Sequence, residues 1–159
     1  MRALRISVAE QRLTLLESGA CVAEYAVSTA KNGVGEQDGS FRTPRGRHVI
    51  RARIGAGLPL NAVLKRRRPT GEIYTPELGA LYPERDWILS RILWLSGRER
   101  GFNRGGECDT MRRYIYIHGC PDELPMGVPL SHGCIRLRNE PMLELFERVA
   151  VGDQVLIEA

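Results

Sequence analysis

A chain of 159 residues, 43% hydrophobic and 26% charged, can close one hydrophobic core, and this balance excludes a disordered or fibrous protein. Its formal net charge of +4 suits an anionic substrate or surface without specifying either, and no stretch approaches the roughly 18 apolar residues of a membrane helix. Met1 to Ser7 carries no apolar leader core and no small-residue cleavage site, so a cytoplasmic protein with no membrane segment is expected.

Taken in chain order, Arg2 to Val8 and Arg12 to Leu16 alternate apolar and polar residues. A turn at Glu17-Ser18-Gly19-Ala20 then leads into Cys21 to Ser28, which predicts a three-stranded meander. Lys31 to Gly39 is a glycine-rich loop, and without a following Gly-Lys-Ser/Thr it is no nucleotide cradle. Thr43-Pro44-Arg45-Gly46 forms a turn, and His48 to Ile54 reads as a strand with His48 facing solvent. Lys65-Arg66-Arg67-Arg68-Pro69 is a dense basic run without interleaved aromatics or a reading helix, hence a solvated loop and no nucleic-acid site. Tyr74 to Tyr82 is expected as a loop over the site, and Trp87 to Leu95 as a buried strand.

Gly97 to Gly106 is a long polar loop whose Arg98, Asn103 and Arg104 are candidates for binding substrate carboxylates. Tyr114 to Ile117 reads as a buried strand that ends by presenting His118 at the Gly119 turn. After Cys134, Asn139 caps a helix with Pro141 in its first turn and Leu143, Phe146 and Val149 on its apolar face. Gly152 ends it, and Gln154 to Ile157 closes the chain as a strand. The whole is mainly β, a curved β-sandwich or open barrel with one main helix following the cysteine, in a single domain over residues 1–159.

The chemistry concentrates in His118-Gly119 and Ser131-His132-Gly133-Cys134-Ile135-Arg136. A thiol needs an imidazole to take its proton, so Cys134 is the candidate nucleophile; His118 and His132 are both candidate bases, and spacing alone does not rank them. An imidazolium beside the sulfur would lower its pKa to roughly 3.5–7.5, giving an ion pair before substrate arrives. Backbone N–H groups around Gly133 and Cys134 are candidate oxyanion donors, and Asp122 is the acid nearest the base in sequence. Cys21, Cys108, Cys120 and Cys134 lack a disulfide framework's spacing, so free thiols are expected. A second class of reading makes His118, Cys120, His132 and Cys134 the ligands of a zinc module, although Cys-x₂₋₄-Cys spacing is missing.

The same residues resemble the signature of the L,D-transpeptidase catalytic domain (YkuD-type) family, with Val27-Ser28-Thr29 and Thr43-Pro44-Arg45-Gly46 similar to its other landmarks. The resemblance implies the same β-rich fold, His118 as the base with the Gly119 carbonyl orienting it, and no cofactor or metal. It further implies that Ser131 and His132 line the substrate pocket and that Arg136 pairs with a substrate carboxylate. Two positions depart from the family's commonest pattern: Cys120 stands where threonine usually follows His-Gly, and Arg136 where some members carry asparagine. The implied reaction is attack on the diaminopimelate–D-alanine bond of a peptidoglycan tetrapeptide or muropeptide through a Cys134 thioester. For a cytoplasmic member, hydrolysis as an L,D-carboxypeptidase in muropeptide recycling is favoured over 3-3 cross-linking.

Overall fold

A computed structural model describes all of residues 1–159. The N-terminal alternation folds as a meander of β1 (Arg2–Ser7), β2 (Arg12–Glu17) and β3 (Ala20–Ala26), with Leu4, Ile6, Leu13 and Leu15 turned inward and fully buried. The remaining strands are β4 (Gly46–Ile54), β5 (Ala62–Lys65), β6 (Arg68–Ile73), β7 (Ile88–Gly97), β8 (Tyr116–Cys120), β9 (Ile135–Arg138) and β10 (Gln154–Glu158). All ten join one curled sheet in the order β3-β2-β1-β10-β4-β7-β5-β6, from which β8 and then β9 branch off β7. The result is a mainly β, half-open barrel carrying one main helix, α2 (Asn139–Arg148).

β7 is the hub. Leu89 pairs with both Val63 of β5 and Gly119 of β8, and Ile92 pairs with both Ile54 of β4 and His118 of β8. A strand has two edges, so β4 and β5 share one in succession and β8 takes the other. Buried on both faces over most of its length, β7 reads as a near-continuous apolar run, which is why it was legible in the sequence. β9 lies parallel to β8, with Ile117 opposite Ile135 and His118 opposite Arg136. α2 packs Met142, Leu145 and Phe146 against β7, β8 and β9 and shares the main core with Ile117, Ile135 and Leu137.

Several expectations need correcting. β8 begins at Tyr116 and runs to Cys120, so His118 sits mid-strand and not at a strand end. Tyr114 is in the left-handed region (φ 56°), which delays the strand, while Gly119 lies within it, paired with Leu89, where a Cβ would come 2.5 Å from Leu89 O and 2.7 Å from Asn139 Oδ1. The basic run is no loose loop: Arg66 and Arg67, both with positive φ, form the two-residue turn of the β5–β6 hairpin. Within Tyr74 to Tyr82 there is a short helix, α1 (Pro76–Leu81), started by Pro76 and capped by Thr75 Oγ1 accepting from Leu78 N–H at 3.1 Å. In α2 the cap is Arg138, Asn139 is inside the first turn, and Met142 and Leu145 take the core positions that the pattern gave to Leu143. His48 is fully buried, with its ring nitrogens on Gly46 O and Thr110 Oγ1 at 2.9 Å each.

Candidate active site

Residues opposite one another in a sheet share a face, so His118 and Arg136 project to the same side of β8 and β9. Cys134 precedes β9 by one residue and lies beside Tyr116, whose N–H donates to its Sγ at 3.3 Å. The nucleophile candidate therefore stands just ahead of β9 and the base candidate on the adjacent parallel strand β8, two residues out of register. Sγ, half-buried, reaches a cleft of about 460 Å³ lined by Phe41, Arg66, Arg67, Asp86, Arg113, Tyr114, Tyr116 and His132 among others. His118 lies behind this wall and is fully buried.

The tautomer of His118 follows from its partner. Nδ1 lies 2.6 Å from Gly119 O, and a carbonyl oxygen only accepts, so Nδ1 carries the proton. Nε2 is then an unprotonated lone pair, buried and without any hydrogen-bond partner. An orphaned buried acceptor has a cost in stability, and active sites are where such costs are found. The thiol in turn donates to Tyr114 O at 3.4 Å, so in the resting arrangement its proton points at a carbonyl and not at Nε2.

Burial pushes the Cys134 thiol up to about 12, against the opposing Tyr116 N–H. Burial likewise pushes His118 down, against the opposing charge of Asp86 and the Gly119 hydrogen bond. Both shifts favour the neutral forms. Those directions run against the thiolate–imidazolium pair expected from the sequence.

Asp86 is the residue that sequence reading missed. Its Oδ1 accepts from Arg136 Nη2 at 2.9 Å and its Oδ2 lies 3.6 Å from His132 Nδ1. Burial would raise its carboxyl, but His118, Arg136 and His132 outweigh that and hold it below the ordinary aspartate range. Arg136 is thereby buried with its charge already paired, and does not reach into the cleft for a substrate carboxylate. His132 is exposed on the cleft wall.

The turn before Cys134 is braced from several sides. Ser131 Oγ donates to Cys134 O at 2.6 Å and accepts from Gly133 N–H at 3.2 Å. Thr43 Oγ1 donates to Gly133 O and accepts from Ala30 N–H, both at 2.9 Å. Ser28 exchanges backbone hydrogen bonds with Arg136 at 2.9 and 3.0 Å. The Val-Ser-Thr and Thr-Pro-x-Gly landmarks thus act as props for this turn. With Gly133 N–H engaged, the Cys134 N–H, which meets no protein acceptor, is the free backbone donor beside the sulfur.

Arg98, Asn103 and Arg104 are not brought to this cleft. Asn103 is fully buried, Nδ2 donating to Arg45 O and Arg47 O and Oδ1 accepting from Glu99 N–H, while Arg98 and Arg104 line a separate hollow. Arg66, Arg67 and Arg113 are the cleft's guanidiniums instead, a placement that only the hairpin and the turn before β8 produce. Asp122 does not orient His118; its Oδ1 accepts from the Asn139 N–H at the start of α2. The four zinc candidates do not converge, since no three His, Cys, Asp or Glu side chains group as a metal site requires.

A family model described as the YkuD L,D-transpeptidase catalytic domain matches residues 1–157. The chain belongs to that family. Among its relatives, the probable L,D-transpeptidase YbiS of Escherichia coli (strain K12) is 49% identical over 43 residues, covering 27% of this chain and 14% of that protein. The putative L,D-transpeptidase YqjB of Bacillus subtilis (strain 168) is 40% identical over 63 residues, 40% of this chain and 34% of that one. The chain therefore spans only a minor part of these curated relatives. L,D-transpeptidase 3 from Mycobacterium tuberculosis, solved with a faropenem-derived adduct, superposes over 99% of this chain and 60% of its own, with a TM-score of 0.61 at 16% identity. An L,D-transpeptidase from Mycobacterium smegmatis covers 99% of this chain and 58% of its own, with a TM-score of 0.58 at 18% identity. Those two likenesses are of fold. In this L,D-transpeptidase-type domain, the same curled sheet carries the Cys134 cleft.

Proposed function

We propose that this domain cleaves the L,D bond between diaminopimelate and terminal D-alanine in peptidoglycan tetrapeptide stems, by acyl transfer through Cys134. The observation that carries the reading is the free, tautomer-fixed Nε2 of His118 on the face that also bears the Cys134 sulfur. As the substrate carbonyl enters, the thiol leaves Tyr114 O and turns toward Nε2, which takes its proton as sulfur attacks. The Cys134 N–H, with the Tyr116 N–H beside it, faces the developing negative charge. His118 returns the proton to the departing amine of D-alanine, leaving a thioester, and then draws a proton from the acyl acceptor.

Water is the acceptor we favour, which makes the activity an L,D-carboxypeptidase. Arg66, Arg67 and Arg113 line the cleft, and its single carboxylate, Asp86, is already held by Arg136. That lining attracts stem carboxylates and offers no free anion to an acceptor's ammonium group, whereas water needs none. A reducing, cytoplasmic setting and recycled muropeptides as substrate fit the four cysteines, which all stand as free thiols.

The test is mass spectrometry of a disaccharide-tetrapeptide incubated with the protein. Loss of one alanine with uptake of water is the expected product, a cross-linked dimer would replace hydrolysis by transpeptidation, and an unchanged mass would reject both. Cys134→Ala should abolish either product while leaving the protein folded, and turnover surviving in that variant would remove the thioester from the mechanism.

A further inference from the structure

We propose that a second site, formed by Arg51, Arg98, Arg104 and Ser96 away from the Cys134 cleft, binds a phosphate group. These residues line a hollow of about 440 Å³ whose other walls include Val49, Met111, Asp109 and Gly152. None of the three guanidiniums makes an ion pair or a side-chain hydrogen bond, in contrast to the paired Arg2, Arg45, Arg85 and Arg136. Ser96 Oγ is buried on the same wall without any hydrogen-bond partner. A hydroxyl in that position is a donor waiting for an acceptor.

The fold builds this arrangement by identifiable means. In the β4–β7 ladder Ile50 faces Leu95 and Ala52 faces Trp94, so Arg51 is the extra residue of a β-bulge, a device that re-aims a side chain. Arg98 and Arg104 are carried by the loop after β7, which buried Asn103 clamps to the Arg45 and Arg47 carbonyls. The loop that the sequence offered as a substrate reader is therefore rigid and charged, but serves another hollow.

Charge selects the ligand class. Three arginines face one lining carboxylate, Asp109, whose oxygens are occupied by the N–H groups of Gly105 at 2.6 Å and Arg112 at 2.9 Å. The two positive charges left over match a phosphate monoester or free phosphate, which carries about −1.5 to −2 near neutral pH. Planar guanidinium forks suit its several acceptor oxygens. Trp94 stands between Arg51, whose Cζ is 5.7 Å from its ring centroid, and cleft-lining Arg67, whose Cζ is 4.8 Å from the same ring.

The experiment is calorimetric titration of Cys134→Ala protein, at constant ionic strength, with inorganic phosphate, glycerol phosphate and acetate. Saturable binding of one phosphate is expected, with acetate failing to bind. Arg51→Ala and the double variant Arg98→Ala/Arg104→Ala should each weaken it by about tenfold or more, and Ser96→Ala by a smaller factor. Arg66→Ala, altered only in the cleft, should bind phosphate as before. Tighter binding of glycerol phosphate assigns the site to an esterified ligand, tighter binding of the free ion to phosphate itself, and either supports the site. No saturable binding, equal binding of acetate, or a loss that follows the cleft variant would overturn it. Unchanged melting curves of the variants separate lost binding from lost folding.

Discussion

In the proposed mechanism His118 serves as the base because burial favours its neutral form, and Asp86 opposes that preference. The negative charge of Asp86 raises the His118 pKa against the downward push of burial. The proposed mechanism forms an imidazolium on His118 during attack, so the same charge would stabilise its transition state. Asp86→Asn should therefore do two things to the pH–rate profile. The acid limb of kcat/KM, which would report neutral His118 in the free enzyme, is expected below the ordinary histidine value near 6.5 and should move lower still in the variant. The plateau rate should fall by about tenfold or more as the imidazolium loses its counter-charge. A rate loss with an unmoved limb would mean that Asp86 merely holds Arg136 in place. Cys134 and His118 could be nominated from the sequence because each sits in a short contiguous motif, Ser131 to Arg136 and His118-Gly119. Asp86, Arg66, Arg67 and Arg113 could not, since each reaches the cleft from a turn whose destination depends on strand pairings remote in the chain.

At the level of elements, the catalytic turn is held by segments that look like ordinary connections. Thr43 Oγ1 links Ala30 N–H to Gly133 O, tying the loop before β4 to the turn before β9. Thr43→Val keeps the shape and removes both hydrogen bonds, leaving two buried backbone groups unpaired at about 1–3 kcal/mol each. We expect lower stability by denaturant unfolding and, because Gly133 loses its anchor, a changed rate of Cys134 alkylation by iodoacetamide. Stability lost with the alkylation rate unchanged would confine Thr43 to a packing role. Asn139 plays a similar part for β7, β8 and α2, with Oδ1 accepting from Ser90 Oγ at 2.7 Å and Nδ2 donating to Cys120 O at 3.0 Å and Asn61 Oδ1 at 2.7 Å. Strands with clear alternation or long apolar runs could be read directly from sequence. The β5–β6 hairpin and α1 could not, because a turn of two arginines and a helix of six residues oppose the usual turn and length signals.

For the whole molecule, acid should loosen the fold in two separable stages. His48 is pushed down to about 4, chiefly by burial, while an unfolded histidine titrates near 6.5. The unfolded chain therefore takes up the proton first as pH falls. Stability from this residue is complete above about 6.5, declines through the interval to about 4, and amounts to about 3 kcal/mol over it. His118 is lowered for the same reason and adds in the same direction. Glu36, Asp86 and Asp109, all held below their ordinary values, contribute stability that is lost only at lower pH, as the folded protein's carboxylates protonate. Urea unfolding of the wild type at pH 7.5, 5.5 and 4.5 should thus show a falling free energy before the carboxylates engage. His48→Gln keeps a polar side chain at the site without a titrating group, so it should start less stable at pH 7.5 and lose less between there and pH 4.5. Parallel curves for the two proteins would mean that the Gly46 and Thr110 contacts of His48 do not govern the first stage, and that His118 carries it alone.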